Sequence, residues 1–255
     1  MENKNLKISG LQLDIVWKNI PENLQAIEAK LRDQEADIFL LPEMFATGFC
    51  MDVEEIADDK NKILGWMKSF AMKKNAAVGG SVAVKENGRF FNRFYFVEKT
   101  GKVQVYDKRH LFSYAKEDQH YSAGKEKMVF EYLGWKILLQ TCYDLRFPVF
   151  QRNRENYDIM LNIASWPDTR ILAWKTLLKA RAIENQCYVF GLNRTGTDGN
   201  TLFYSGESKC FFADGTEISE ISKEFITADL NREKLQEYRK KFPFLEDQDD
   251  FEITK

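Results

Sequence analysis

Short apolar runs alternate with amphipathic stretches along this chain. Residues 6–16 read as a strand, and Asn19 followed by Pro21 opens a helix that carries Leu24, Ile27 and Leu31 on one face. Residues 37–42 (DIFLLP) form a second strand whose unbroken apolar run suits burial on both faces, and Pro42 ends it just before Glu43. Residues 61–74 place Ile63, Leu64, Met67, Phe70 and Ala71 at helical spacing. The rhythm then shortens. Residues 77–85, 90–98 and 102–107 read as strands of a meander, with tight turns at Asn87-Gly88 and Thr100-Gly101, and the last of them runs out at Lys108.

From Gly134 strand and helix alternate again: a strand over 136–141, a helix after Pro148, a strand over 157–164 and a long helix from about 168 to 184. Strands over 187–192 and 208–212, a turn at Asp214-Gly215, a strand over 225–230, a short helix from Arg232 and an acidic end complete the chain. No repeat, low-complexity tract or linker interrupts it, so residues 1–255 are expected to form one domain. Parallel and hairpin-connected strands with helices between them predict an α/β (α+β) protein, two sheets packed face to face with helices outside.

Composition narrows the function classes. With 44% hydrophobic residues in 255, the chain can bury a large core. Its 37 basic and 39 acidic residues are interspersed, leaving no basic face for nucleic acid or anionic lipid. MENKNLKIS lacks the apolar core of a secretion signal and no run is long enough to span a bilayer, so a cytoplasmic location is expected, with neither nucleic acid nor membrane as partner. The four cysteines, 50, 142, 187 and 210, stand far apart with no CxxC and no His pair beside them, which predicts free thiols and no zinc site.

One of those thiols stands out. In WKILLQTCYDLRFPV an apolar run delivers Cys142 to a bend, and Pro148 suits the first turn of the next helix. A cysteine after aliphatic residues is by default a small core residue. Backbone N–H groups just past such a bend can also converge on one spot, lowering a thiol pKa and forming an oxyanion pocket. Glu43 and Lys108 end strands in the same way. A cysteine hydrolase needs a base, most often histidine, and only His110 and His120 are available. His110 is expected to point away from Lys108, which leaves a carboxylate base as the alternative.

LLPEMFATGF around Glu43, YDKRHLF around Lys108 and TCYDLRFP around Cys142 resemble the catalytic motifs of the nitrilase superfamily, the carbon-nitrogen hydrolases, in order and rough spacing and over nearly the whole chain. Within it the sequence looks most like the bacterial omega-amidases, the 2-oxoglutaramate or 2-oxosuccinamate amidases, on PEMFATGF, NIASWPD, KARAIENQCYVFGLNR and YRKKFPFLEDQDDF. The resemblance implies a four-layer α-β-β-α sandwich, a homodimer joined through helices, a small-molecule amide substrate, and no cofactor or metal. It implies Cys142 as nucleophile, Glu43 as general base and then acid, and Lys108 with the backbone N–H of Tyr143 as the oxyanion's partners. Glu117 matches a second glutamate of the family. Val149 stands where many members have an acid, a departure expected to affect packing more than chemistry.

Around these, Asp144 and Arg146 are expected to fix the bend through hydrogen bonds. Phe45, Tyr143 and Trp166 are candidate pocket walls, and Arg170 is the candidate for a substrate carboxylate. Rival readings are another amidase, a carbamoyl-amide hydrolase or a nitrilase of the same superfamily, and a non-catalytic scaffold that has kept the fold.

Overall fold

The computed structural model describes residues 4–58 and 60–254. Strands β1 (Asn5–Leu11), β2 (Ile38–Leu40), β3 (Ala77–Glu86), β4 (Arg89–Val97) and β5 (Val103–Asp107) build one sheet, and β6 (Val129–Tyr132), β7 (Trp135–Thr141), β8 (Ile159–Ala164) and β9 (Tyr188–Asn193) a second. A hairpin of β10 (Thr195–Thr197) and β11 (Phe203–Ser205) stands outside both. β12 (Lys209–Phe211) returns to the second sheet, and β13 (Glu220–Ser222) and β14 (Phe225–Asn231) complete the first. The orders are β13-β14-β1-β2-β3-β4-β5 and β12-β9-β8-β7-β6. The α-helices are α1 (Ile20–Leu31), α2 (Val53–Ile56), α3 (Lys62–Lys74), α4 (Glu117–His120), α5 (Pro148–Gln151), α6 (Ile171–Asn185) and α7 (Arg232–Lys241).

Alternation along each strand sorts its residues between layers. Ile38 and Leu40 of β2 face the second sheet, as Ile137 and Leu139 of β7 face the first, and together they form the inner core. Phe39 and Leu41 point the other way, onto Ile27 and Leu31 of α1 and Met67 and Phe70 of α3. Leu138 likewise turns outward, onto Trp174, Leu178 and Ala182 of α6. The result is the predicted α-β-β-α sandwich. β2 pairs in parallel with β1 and β3, and β8 with β7 and β9, so the C-terminal ends of these strands gather at a common edge of each sheet. That edge is where open α/β sheets place their sites.

Several expected boundaries shift, each for a physical reason. The first strand stops at Leu11, because Leu13 and Ile15 leave the sheet to join the helix-facing core. α3 takes its cap from further upstream than Asn61: the Asp58 carboxylate accepts the N–H groups of Lys62, Ile63 and Leu64 at 2.7, 2.9 and 3.2 Å. β6, β13 and the β10–β11 hairpin, each of three or four residues, were not expected. The Asn87-Gly88 turn has φ of 50° and 74°, the pair of positive values that a tight hairpin between twisted strands requires. Among the described residues no helix is long and apolar enough to cross a membrane.

Candidate active site

The local chain path delivers three side chains to one point. β7 ends at Thr141, and Cys142 takes a left-handed φ of 48° as it opens a one-turn 3₁₀ helix, Cys142–Arg146. A non-glycine residue held there stores on the order of 1–3 kcal/mol, so the surroundings must enforce it. Asp144 does so by accepting the Thr141 N–H at 2.9 Å from within the turn. Glu43 follows β2 by the same device: Met44 has φ 48°, and its N–H is held by Ser81 Oγ at 3.0 Å. Lys108 is one residue past β5, its N–H still bonded to the Asn92 carbonyl at 2.9 Å.

Inside the edge, Lys108 Nζ lies 2.9 Å from Glu43 Oε1 and 2.8 Å from Glu117 Oε2. The Asn92 amide donates to the same two carboxylates, at 2.8 Å to Glu43 and 3.2 Å to Glu117. Phe112 N–H donates to Glu117 at 2.6 Å. Ser165 closes the circle, its N–H donating to Glu43 Oε2 at 2.9 Å while its carbonyl receives the Cys142 thiol at 3.8 Å. Glu43 and Glu117 are fully buried, whereas Cys142 and Lys108 line a cavity of about 290 Å³.

These charges set the resting protonation. Burial, then the charge of Glu43, pushes the Cys142 thiol well above its ordinary range, and Lys108 offsets only part of this. The low thiol pKa that a bend of converging N–H groups could give is therefore absent: Cys142 rests as a thiol close to the Glu43 side chain. Burial opposes the charge of Lys108, but Glu117 and Glu43 outweigh it and keep the ammonium. Burial also pushes the Glu117 carboxyl up, Lys108 holding it back and Glu43 adding to the rise.

Tyr143, Trp166 and Arg170 line the cavity beside Cys142 and Lys108. Phe45 does not, which corrects the expectation for it. The left-handed Met44 turns the chain, and Phe45 is fully buried in the helix-facing core, against Trp66 and against Gly80, where a Cβ would come within 2.8 Å of its ring. Arg146 is corrected too. It lies in the cavity wall, its guanidinium 4.9 Å from the centre of the Trp166 ring, and Asp144 fixes the bend without it. Arg170 lies in the same way 5.2 Å from the Phe112 ring. Neither arginine has a carboxylate partner among the described residues.

His110 stands apart from Glu43, Glu117 and Lys108, 2.8 Å from Asp144 Oδ1 and stacked on Phe147. Strand alternation by itself would have put residues 108 and 110 on one face. β5 ends at Asp107, so alternation does not reach them.

Sequence reasoning missed Asn92, Ser165 and the hairpin that supplies Asp198, Asn200, Leu202 and Tyr204 to the cavity. An asparagine inside the aromatic strand RFFNRFYF was a usable signal, since strands disfavour it. The role of Ser165 rests on its backbone, which leaves no mark in a sequence.

A family model described as carbon-nitrogen hydrolase matches residues 7–240. The omega-amidase YafV of Yersinia enterocolitica is 44% identical over 252 residues, covering 96% of this chain and 98% of that protein. The 2-oxoglutaramate amidase of Bacillus subtilis is 35% identical over 250 residues, covering 94% and 96%. Among solved structures, the CN-hydrolase superfamily protein XC1258 of Xanthomonas campestris, which holds an arsenic adduct in its active site, matches with a TM-score of 0.94 at 38% identity, covering 98% of this chain and 99% of that one. With its four-layer sandwich and these matches along nearly its full length, the chain belongs to the carbon-nitrogen hydrolase family.

Proposed function

We propose that this protein is a cysteine-dependent omega-amidase that hydrolyses the terminal amide of small 2-oxo dicarboxylic acid monoamides, 2-oxoglutaramate and 2-oxosuccinamate, to the 2-oxo acid and ammonia. The observation that carries the reading is the buried Lys108 ammonium held between Glu43 and Glu117, with Glu43 and the Cys142 thiol both anchored on Ser165. Glu43 takes the thiol proton as sulfur adds to the amide carbon. The negative charge moves from the carboxylate to the carbonyl oxygen, where Lys108 and the Tyr143 N–H meet it. As residue two of a one-turn helix, Tyr143 has an N–H with no acceptor inside that helix. The intermediate collapses to a thioester, and Glu43 gives its proton to the departing ammonia. Water, deprotonated by Glu43, then adds to the thioester, releasing the acid and returning the proton to sulfur. Glu117 holds Lys108 in place throughout and changes no bond.

The cavity suits a short chain with an anionic far end. Arg146 and Arg170, each spread over an aromatic ring and free of carboxylates, are placed to receive the substrate carboxylate. Among the described residues the one acid of the cavity wall, Asp198, is already committed to Asn200 N–H, Leu202 N–H and Tyr204 Oη at 2.8 to 3.0 Å. The ammonium of glutamine or asparagine would therefore enter beside two arginines with no acceptor of its own. The deciding experiment is steady-state ammonia release from 2-oxoglutaramate, succinamate, glutamine and a neutral short amide, on wild type, Arg146→Ala and Arg170→Ala. We expect 2-oxoglutaramate to outpace glutamine by at least about 100-fold, and either arginine variant to raise KM for the anionic amides alone. Faster hydrolysis of glutamine, a ureide or a nitrile would remove the omega-amidase assignment.

The reading extends to assembly and location. Val149 of α5 and Leu172 and Ile183 of α6 are exposed apolar residues on the outer helical layer, which supports a homodimer joined through these helices. Four free cysteines, one of them the nucleophile, fit a reducing compartment and hence the cytoplasm.

A further inference from the structure

Lys108 and Cys142 follow strands of different sheets, so their separation depends on something outside either strand. The link is the fully buried carboxylate of Asp144. Its Oδ2 accepts Thr141 N–H at 2.9 Å and the Tyr106 hydroxyl at 2.8 Å, while its Oδ1 accepts the N–H of His110 at 3.0 Å and lies 2.8 Å from His110 Nδ1. A carboxylate can only accept, so the proton of this contact sits on Nδ1. Tyr106 and His110 flank Lys108 by two residues on either side, and Thr141 immediately precedes Cys142. One side chain thus ties the segment carrying the cation to the turn carrying the sulfur. His110 grips that turn a second time, stacked on Phe147 with ring centres 3.9 Å apart and planes 7° from parallel.

We propose that His110 is a positioning residue for the amidase reaction: through Asp144 it sets the register between Lys108 and Cys142 and takes no proton from substrate or thiol. The inference rests on the reading of Cys142 as nucleophile and Lys108 as oxyanion partner. The same geometry calls for an acid at position 144. Each of its oxygens accepts a backbone N–H, which cannot reverse its direction, so an asparagine there would set its NH₂ against one of them.

The test compares His110→Ala with His110→Asn, whose side-chain N–H falls where Nδ1 was. Ammonia release from 2-oxoglutaramate and the rate at which iodoacetamide alkylates Cys142 are measured for both, with circular dichroism to confirm folding. A hydrogen bond to a charged acceptor is worth about 1.5–3 kcal/mol, so its loss is expected to cut kcat by about tenfold or more. We expect His110→Ala to show this loss with KM within about twofold of wild type, to slow alkylation in parallel, and to lose its effect in His110→Asn, which restores the donor. Phe147→Leu, which removes only the stack, should keep kcat within about threefold. Equal damage in the Ala and Asn variants, damage in Phe147→Leu matching that in His110→Ala, or a raised KM with unchanged kcat would each overturn the proposal. If wild type releases no ammonia from any amide, the proposed function falls, while the alkylation rates still decide whether His110 positions the thiol.

Discussion

Lys108 Nζ stands 2.8 Å from Glu117 Oε2, with the two side chains 1% and 0% exposed. Glu43 completes the cluster from the other side, so one ammonium serves two buried carboxylates. Removing one partner of a buried ion pair typically costs about 3–5 kcal/mol, because the charge left behind is uncompensated. Lys108→Met should therefore lose stability as well as the oxyanion cation, whose absence alone is worth roughly 10²- to 10³-fold in kcat. Adding Glu117→Gln to Lys108→Met should recover much of the stability and none of the activity. Urea unfolding of the two variants checks this; a Lys108→Met protein as stable as wild type would mean that the carboxylates do not face each other as charges.

The same cluster predicts a direction with pH. Burial raises the Glu117 carboxyl above its ordinary value, so the folded protein binds that proton more tightly than the unfolded chain does. The associated stability is full below the ordinary carboxylate range and is lost as pH rises through the raised folded value. In Lys108→Met the restraining ammonium is gone and the carboxyl rises further. The stability gap between wild type and Lys108→Met should then narrow as pH falls from neutrality toward about 5, the region where an unperturbed Glu begins to take its proton. Thermal unfolding across that window measures it, and a gap that widens on acidification would contradict the burial argument.

A separate expectation concerns Glu43. Its charge is the second cause, after burial, that holds the Cys142 thiol up, so removing it should make the thiol more acidic. Glu43→Gln is expected to lose roughly 10²- to 10⁴-fold in turnover with the proton shuttle. Alkylation of Cys142 should meanwhile begin at lower pH than in wild type. Loss of turnover accompanied by slower alkylation at every pH would show that Glu43 acts on Cys142 chiefly by holding it in place.

Much of this was legible before any coordinates. The strands before Glu43, Lys108 and Cys142 give way to Pro42, to Asp107 and to the polar pair Gln140-Thr141, and such endings mark where a chain leaves a sheet. Two sheets with helices outside followed from the mix of parallel and hairpin-connected strands, and the resemblance to the nitrilase superfamily implied the four-layer sandwich. What escaped depends on backbone groups or on distant pairing. Ser165 acts through its N–H and carbonyl, and Asn92 matters because β4 happens to lie between β3 and β5, within reach of both carboxylates. Phe45 was misplaced because a single left-handed residue, Met44, reverses the chain, and that conformation carries no dependable sequence mark in a methionine. Arg146 was read as a prop for the bend because its neighbour Asp144 fills that role and the two are close in sequence.

The cysteines give the last test. All four are buried, yet Cys142 is 9% exposed at the cavity floor while Cys50, Cys187 and Cys210 are at 2% or less. Cys187 and Cys210 are fully buried and outside the cavity, so neither reacts before the protein opens. Cys187 packs in the layer against α6 and Cys210 in the core between the sheets. Serine at either place would bury a hydroxyl among apolar neighbours, at about 1–3 kcal/mol if it found no partner, so alanine is the cleaner replacement. Cys142→Ala is expected to fold and to release no ammonia. Cys187→Ala and Cys210→Ala should keep most activity and lose some stability. Peptide mapping after brief iodoacetamide treatment should find Cys142 modified first, and a carboxylate-bearing substrate analogue in the cavity should slow that modification. First labelling at Cys50, with activity falling in step, would move the nucleophile away from the Lys108 cluster and undo the mechanism.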